Sequence, residues 1–268
     1  MKAGVKGLNG KALNEAVLPR QFSEEYRPDL IRRAFHAERS QLLQPKGNNP
    51  GAGLDYTTAK FYGRRHLMRS GNNAGSARLP REKIAGGRLG RVLMVPQARK
   101  GMRAHPPKPW TCIIERINYK EKCKAIRSAI AATLDPALVK ARGHLFVGEL
   151  PLVIEEGFES VKRVSDAADV LDKLGLEKDL ERARLGRRLR SGRARLRKGG
   201  YRQPSSALIV YAKDDGISKA TRNIPGVDCV NVKELTAELL APGGDAGRLT
   251  VWTAGALREL EKQELYCA

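Results

Sequence analysis

The order of apolar and polar positions divides the chain into patterned and unpatterned stretches. Near the start, Val5 and Leu8 flank Asn9-Gly10, the dipeptide favoured in type I′ hairpin turns, and residues 12–18 supply the returning strand before Pro19 ends it. From Pro28 to Leu43 the apolar residues Leu30, Ile31, Ala34, Phe35, Ala37 and Leu42 recur at amphipathic-helix spacing. Pro28 suits the first turn of that helix, and Pro45 stops it. Between residues 47 and 109 neither helical nor strand periodicity persists. Glycines (47, 51, 53, 63, 71, 75, 86, 87, 90, 101) and prolines (50, 80, 96, 106, 107, 109) punctuate the whole stretch.

Regular patterning then returns. Asn118 with Glu121 three residues on resembles a capping box, and Tyr119, Cys123, Ile126, Ile130 and Leu134 follow at helical spacing until Asp135-Pro136. A short helix over residues 137–142 ends at Gly143, and Leu152-Val153-Ile154 reads as a strand. Ser165 can cap a helix holding Ala168, Val170, Leu171 and Leu174, with Gly175 as its stop. The run 207–211 is continuously apolar, as in a strand buried on both faces. A helix at 217–221, a strand at 227–230 and a helix marked by Leu235, Leu239 and Leu240 follow, the last ended by Pro242-Gly243-Gly244. A strand at 249–252 and a helix at 254–265 finish the chain. Strands alternating with helices predict an α/β fold with a mostly parallel, helix-flanked sheet. The expected organisation is one globular domain from residues 1–46 and 110–268, with 47–109 inserted as a long, non-regular, basic loop. No internal repeat is present.

Charge changes this picture most. The 268 residues hold 50 Lys and Arg against 29 Asp and Glu, a net charge of +21. Such an excess repels itself and calls for a polyanion, with nucleic acid ahead of an acidic membrane surface. The membrane fits poorly. No apolar run reaches the roughly 18 to 20 residues a spanning helix needs. Met1-Lys2-Ala3-Gly4-Val5 leads into polar residues rather than the apolar core of a signal peptide. The basic residues also sit in Gly/Pro-rich segments rather than along one helix face. A soluble cytoplasmic protein is expected.

Two tracts concentrate the charge. In the loop the basic residues are Lys60, Arg64, Arg65, Arg69, Arg78, Arg81, Lys83, Arg88, Arg91, Arg99, Lys100, Arg103 and Lys108, and Glu82 is the only acid among them. A structureless loop this long is either functional or disordered. Glycine lets the backbone approach another molecule closely, and arginine supplies flat, forked contacts to phosphates and bases. The second tract is Arg182, Arg184, Arg187, Arg188, Arg190, Arg193, Arg195, Arg197, Lys198 and Arg202, with no acid between them. A solvated helix face would mix signs, so RNA contact is the favoured reading. Phe61, Tyr62 and Trp110 bracket the loop, and two readings stay open for them: stacking on bases, or anchoring the loop to its own domain.

Other chemistries find no support. Cys112, Cys123, Cys229 and Cys267, and His36, His66, His105 and His144, lack the short paired spacing of zinc ligands, so buried reduced thiols are expected. No Gly-x-Ser-x-Gly elbow or phosphate-cradling Gly-rich loop occurs, and Gly243-Gly244-Asp245-Ala246-Gly247 reads as a turn. Glu155-Glu156 and Asp214-Asp215 follow strands, where acids solvate loops or cap the next helix. Neither catalysis nor a metal or cofactor is expected.

Several motifs resemble one known family. Ala77-Arg78-Leu79-Pro80-Arg81 with Gly86-Gly87, and Val95-Pro96-Gln97-Ala98-Arg99-Lys100-Gly101 with Ala104-His105-Pro106-Pro107-Lys108, resemble the loop core and return arm of the universal large-subunit ribosomal protein L-four family, in its archaeal and eukaryotic form. Arg222-Asn223-Ile224-Pro225-Gly226, Leu240-Ala241-Pro242-Gly243-Gly244 and Gly247-Arg248-Leu249 are similar to its C-terminal signature. Ser128-Ala129-Ile130-Ala131-Ala132-Thr133 and Arg142-Gly143-His144 fit its helix and following turn. The likeness spans nearly the whole chain. It implies an α/β domain docked on large-subunit ribosomal RNA, beside neighbouring large-subunit proteins, and an internal loop threading into the RNA. The loop tip, near residues 83–96, would reach the nascent-peptide exit tunnel and the peptide in it, with Arg88 and Arg91 as its contacts. The sequence departs from the eukaryotic branch in having fewer glycines and no aromatic at that tip. The loop's ordering cost would be met on assembly, which implies disorder in the isolated chain. The rival readings are a free RNA-processing or modifying enzyme and a DNA-packing or regulatory nucleic-acid binder.

Overall fold

The computed structural model describes residues 1–56, 58–59, 75, 77–84, 89–196 and 199–267. The chain divides into two compact units, Met1–Leu42 with Ile114–Ala268, and Leu43–Ile113.

The larger unit opens on the hairpin β1 (Lys2–Lys6) and β2 (Ala12–Val17), antiparallel with Ala3 opposite Ala16. Its turn differs from the type I′ form that Asn9-Gly10 suggested. Asn9 keeps a negative φ, Gly10 alone is left-handed (φ 77°), and Gly10 N–H donates to Gly7 O at 2.9 Å. A single left-handed residue after an ordinary turn needs glycine at only one place. Helix α1 (Pro28–Gln41) starts on Pro28 and buries Ile31, Ala34 and Ala37, the stripe its spacing predicts.

In the smaller unit, β3 (Thr58–Ala59), β4 (Arg81–Lys83) and β5 (Leu89–Val92) form an antiparallel sheet. Strands of two to four residues carry too few alternations to show as a period. Leu93 is buried, and its N–H donates to Pro80 O at 2.9 Å. Gly53, left-handed at φ 85°, sits so close to Gly101 that a Cβ would meet Gly101 O at 2.6 Å. These two glycines serve the loop's own packing.

The remainder of the larger unit runs α2 (Tyr119–Ala131), α3 (Pro136–Ala141), β6 (Leu152–Ile154), α4 (Val164–Lys173), α5 (Glu177–Leu185), β7 (Arg188–Leu189), β8 (Tyr201–Arg202), β9 (Leu208–Tyr211), α6 (Ile217–Thr221), β10 (Asp228–Asn231), α7 (Ala237–Leu240), β11 (Thr250–Thr253) and α8 (Ala254–Lys262). The main sheet has the order β10-β9-β11-β6-β1-β2; all neighbours pair in parallel except β1 with β2. Every residue of β9 is buried, as its unbroken apolar run required. Leu208 and Val210 join a core with Trp252, Ile126, Ile130 and Leu257, while Ile209 and Tyr211 join one with Leu171, Phe158 and Val251. Trp252 meets Phe22 edge-on, with ring centroids 5.2 Å apart.

Two expected caps are not made. Asn118 precedes α2 without a side-chain cap bond, and the Glu121 side chain pairs with Arg33 at 3.1 Å rather than reaching back to it. Ser165 lies inside α4 and donates to Asp166 at 3.0 Å, leaving Arg163 at the cap position. Helix α8 ends at Lys262 rather than at residue 265, since Glu264 (φ 44°) and Tyr266 (φ 63°) take left-handed conformations.

Candidate nucleic-acid interface

The second basic tract is not a helix. After α5 the chain turns into the β7–β8 hairpin, with a 3-10 turn at Gly192–Leu196 between its strands. Arg190 N–H donates to Gly200 O at 2.8 Å and closes the loop. Arg188 and Arg202 face each other across the strands, so like charges are juxtaposed. The Arg187 guanidinium lies 4.2 Å from the Tyr201 ring centre, a cation–π contact that holds it in place. Arg188, Arg190, Arg193, Arg195 and Arg202 are exposed. Among the described residues none of them, nor Arg184 or Arg187, has a carboxylate within 4.0 Å. Arg197 and Lys198 lie outside the described residues.

Elsewhere in the same unit, several basic residues are compensated. Arg32 meets Asp245 (3.0 Å), Arg39 meets Glu238 (2.8 Å), Arg127 meets Glu24 (2.8 Å) and Lys233 meets Glu259 (2.9 Å). The hairpin, by contrast, carries a dense run of exposed arginines. Arg184, Arg187 and Arg222 line a cleft of about 650 Å³, floored by Pro204, Ser205 and Gly226. Sequence reasoning did not single out Arg222 as a charge in a site, because it stood there only as the first residue of the Arg222-Asn223-Ile224-Pro225-Gly226 motif.

That motif is built on a buried network. Arg248, 1% exposed, donates to Ser206 O (2.9 Å), Leu239 O (3.0 Å) and the Asp228 carboxylate (2.5 Å). Burial pushes its guanidinium below its ordinary value, and Asp228 opposes the shift. Beside it the fully buried Asp179 accepts from Ser206 Oγ (2.5 Å), Leu145 N–H (3.0 Å) and Arg182 Nε (3.0 Å), and lies 3.2 Å from His144 Nδ1. Burial alone would raise this carboxyl; the bonds from His144, Arg182, Ser206 and Leu145 outweigh it and hold it well below its ordinary range. Arg182, though part of the basic tract, therefore works inside the fold, and it also donates to Ser205 O at 2.9 Å. Arg142 reaches the Pro242 and Asp245 carbonyls. Arg142 thus holds the turn from Pro242 to Asp245, while Arg248 ties Asp228, at the border of the arginine cleft, to Ser206 and Leu239.

In the smaller unit, Arg78, Lys83, Arg99, Lys100, Arg103 and Lys108 are exposed. Two residues from the same prediction are partly committed within the loop. Arg81 donates to Gly90 O and Ala77 O, each at 3.1 Å, and Arg91 pairs with Glu82 at 3.1 Å. Arg64, Arg65, Arg69 and Arg88, with Lys60, Phe61 and Tyr62, lie outside the described residues. Trp110 is 70% exposed, with the Lys108 ammonium 5.9 Å from its ring centre, so burial does not make it an anchor.

The remaining candidates have structural duties. Glu155 accepts from Leu8 N–H (2.8 Å), Glu156 pairs with Arg258 (2.7 Å), and Asp214 accepts from Gly216 N–H (3.2 Å) and Ser218 N–H (3.3 Å) at the start of α6. Cys123 is buried, and burial pushes the half-buried Cys229 thiol up to about 11, which keeps it protonated. Cys112 and Cys267 are exposed, contrary to the expectation of buried thiols, since each lies near the end of its unit. No group of three metal-binding side chains occurs among the described residues, and no helix among them is long and apolar enough to cross a membrane.

A helix-flanked, mostly parallel sheet with an arginine-rich hairpin and a basic insertion defines a strongly basic α/β protein. Comparison with known proteins makes this particular. The model of the Ribosomal protein L4/L1 family matches residues 16–263, and the chain belongs to that family. It is 48% identical over 260 residues to the large ribosomal subunit protein uL4 of Archaeoglobus fulgidus, covering 97% of this chain and 98% of that protein. The uL4 of Methanothrix thermoacetophila is 47% identical over 263 residues (98% and 100% covered), and that of Methanocaldococcus jannaschii 47% over 264 (98% and 99%).

Proposed function

We propose that the chain is a structural constituent of the large ribosomal subunit, not an enzyme, and that it works on the cytoplasmic ribosome by binding large-subunit ribosomal RNA. Membership in the family supports the assembly and the absence of catalysis. The observation that carries RNA binding is the β7–β8 hairpin, where Arg188 stands opposite Arg202 with no carboxylate near either. Phosphates between and beside them relieve that repulsion and release counterions. The cleft beside Arg184, Arg187 and Arg222 gives the backbone a second seat.

The stretch 47–109 is read as the arm that enters the RNA, with Arg64, Arg65, Arg69, Arg78, Lys83, Arg88, Arg99, Lys100, Arg103 and Lys108 toward phosphates. Its tip, near residues 83–96, lies toward the exit tunnel and the nascent peptide, and Arg91 there is paired with Glu82. Part of this arm orders only with RNA, which amide exchange with and without RNA checks.

The test is a salt titration of the full chain on a large-subunit RNA fragment. Replacing Arg188, Arg190, Arg193 and Arg195 by alanine should lower the slope of log K against log salt by about 3 if each meets a phosphate. An unchanged slope overturns the assignment of the hairpin. Failure of the chain to co-sediment with large subunits in moderate salt overturns the ribosomal reading.

A further inference from the structure

The main sheet ends at β2, and that edge is not blunted in the usual ways. Edge strands commonly carry proline, several charges or a covering element. β2 has no proline and one charged residue, Glu15, while Leu13 and Val17 are 56% and 62% exposed. The bond from Leu18 N–H to Met1 O (2.9 Å) sets the alternation of bonded pairs, so Ala16 pairs through hydrogen bonds to Ala3. Glu15 and Val17 therefore direct their N–H and C=O groups away from the sheet.

Behind this edge a groove of about 400 Å³ separates β2 from α8, with Ala16 and Leu257 in its apolar wall. Glu15, Glu155, Glu156 and Glu261 rim it. The cations at hand are already taken: Arg258 by Glu156 (2.7 Å) and Lys2 by Glu15 (3.1 Å). On a chain of net charge +21 this edge is locally anionic. RNA is repelled here, whereas a basic polypeptide is attracted.

We propose that β2 takes up an extended, lysine- and arginine-bearing segment of another protein as an added strand of the sheet. The outward backbone groups of Glu15 and Val17 supply its main-chain bonds. Alternate side chains of the incoming strand pack on Leu13 and Val17 or lie over the α8 groove, where Glu261, which has no ion pair among the described residues, receives a cation. The reading is separate from the arginine face and shares with the proposed function only the premise of a multi-component assembly. Its test contains no ribosomal RNA in the binding step, so either can fail alone.

The experiment titrates the full chain into a fluorescein-tagged peptide of alternating valine and lysine, with a valine–glutamate peptide as control, and reads anisotropy. Val17→Pro removes one outward N–H without touching a bond to β1, and Glu261→Lys reverses one rim charge on the exposed side of α8. Each should weaken the lysine peptide at least about tenfold while circular dichroism stays unchanged. Because Glu261→Lys leaves β2 intact, a folding defect in Val17→Pro would not decide the matter. Absent binding, equal binding of the glutamate peptide, or wild-type affinity in Glu261→Lys overturns the proposal. Dimerisation of the chain that the peptide displaces would assign the edge to a second copy, and a crosslink from position 17 to RNA in large subunits would assign it to RNA; either overturns it.

Discussion

Arg188 stands directly across the β7–β8 ladder from Arg202, in a hairpin of two-residue strands. Like charges opposite one another destabilise a pair by some tenths of a kcal/mol, and a hairpin this short has little else to oppose them. The arrangement persists usefully only where an anion lies over both. Opposite signs are therefore expected for the two readouts of Arg188→Ala. The amide of Arg190, bonded to Gly200 O, should exchange more slowly in the free variant, while RNA affinity falls and the salt slope drops by about 1. Faster exchange in the free variant would show that Arg188 stabilises the hairpin without RNA.

Arg248 tests the floor beneath that face. Its guanidinium joins Ser206, Leu239 and Asp228, and it is almost wholly enclosed. Arg248→Met keeps the volume and strands the acceptors, which should cost about 3 kcal/mol in denaturant unfolding. Arg248→Lys should recover little, because one ammonium cannot reproduce a planar fork directed at three partners.

Some of these features can be read from the sequence and others cannot. Strand β9 was legible because an unbroken apolar run has one economical fate, burial on both faces. The basic tract was legible as a patch of charge but not as a hairpin, since Arg188-Leu189 and Tyr201-Arg202 are too short to show alternation. Arg182 and Arg222 show the limit more sharply. Composition counts Arg182 with its neighbours, yet Asp179, buried three residues earlier, draws it inward. Arg222 is separated from the tract by β9 and joins the cleft only through the fold. Arg81 is likewise turned onto Ala77 and Gly90 carbonyls that no local pattern assigns to it.

Gly226 should resist substitution for two independent reasons. Its φ is 77°, and a Cβ there would lie 2.6 Å from Pro204 O and 2.9 Å from Ala183 Cβ. Gly226→Ala should destabilise the chain by roughly 1 to 3 kcal/mol and also displace the segment lining the arginine cleft. Thermal unfolding reads the first effect and RNA affinity at fixed salt the second. A variant as stable as the wild type would mean that the backbone relaxes there without strain.

Asp179 gives the pH dependence a definite sign. Its carboxyl is held below its ordinary value of 3.8, so the folded state binds its proton less readily than the unfolded chain does. The stabilisation is therefore fully present above that ordinary value. It is lost progressively as pH falls from near 3.8 toward the lowered one. Asp179→Asn removes the charge that Arg182 meets at 3.0 Å and should cost roughly 3 kcal/mol at neutral pH. Below pH 3.8 the group protonates in the unfolded wild-type chain while the folded one still resists, which drains the wild type's advantage, so the gap between the two proteins should narrow there. Urea midpoints of both proteins from neutral pH down into that range measure the gap directly. Two curves that fall in parallel would mean that the Asp179 carboxylate, for all its bonds to Ser206, Leu145 and Arg182, does not set the acid limb of stability.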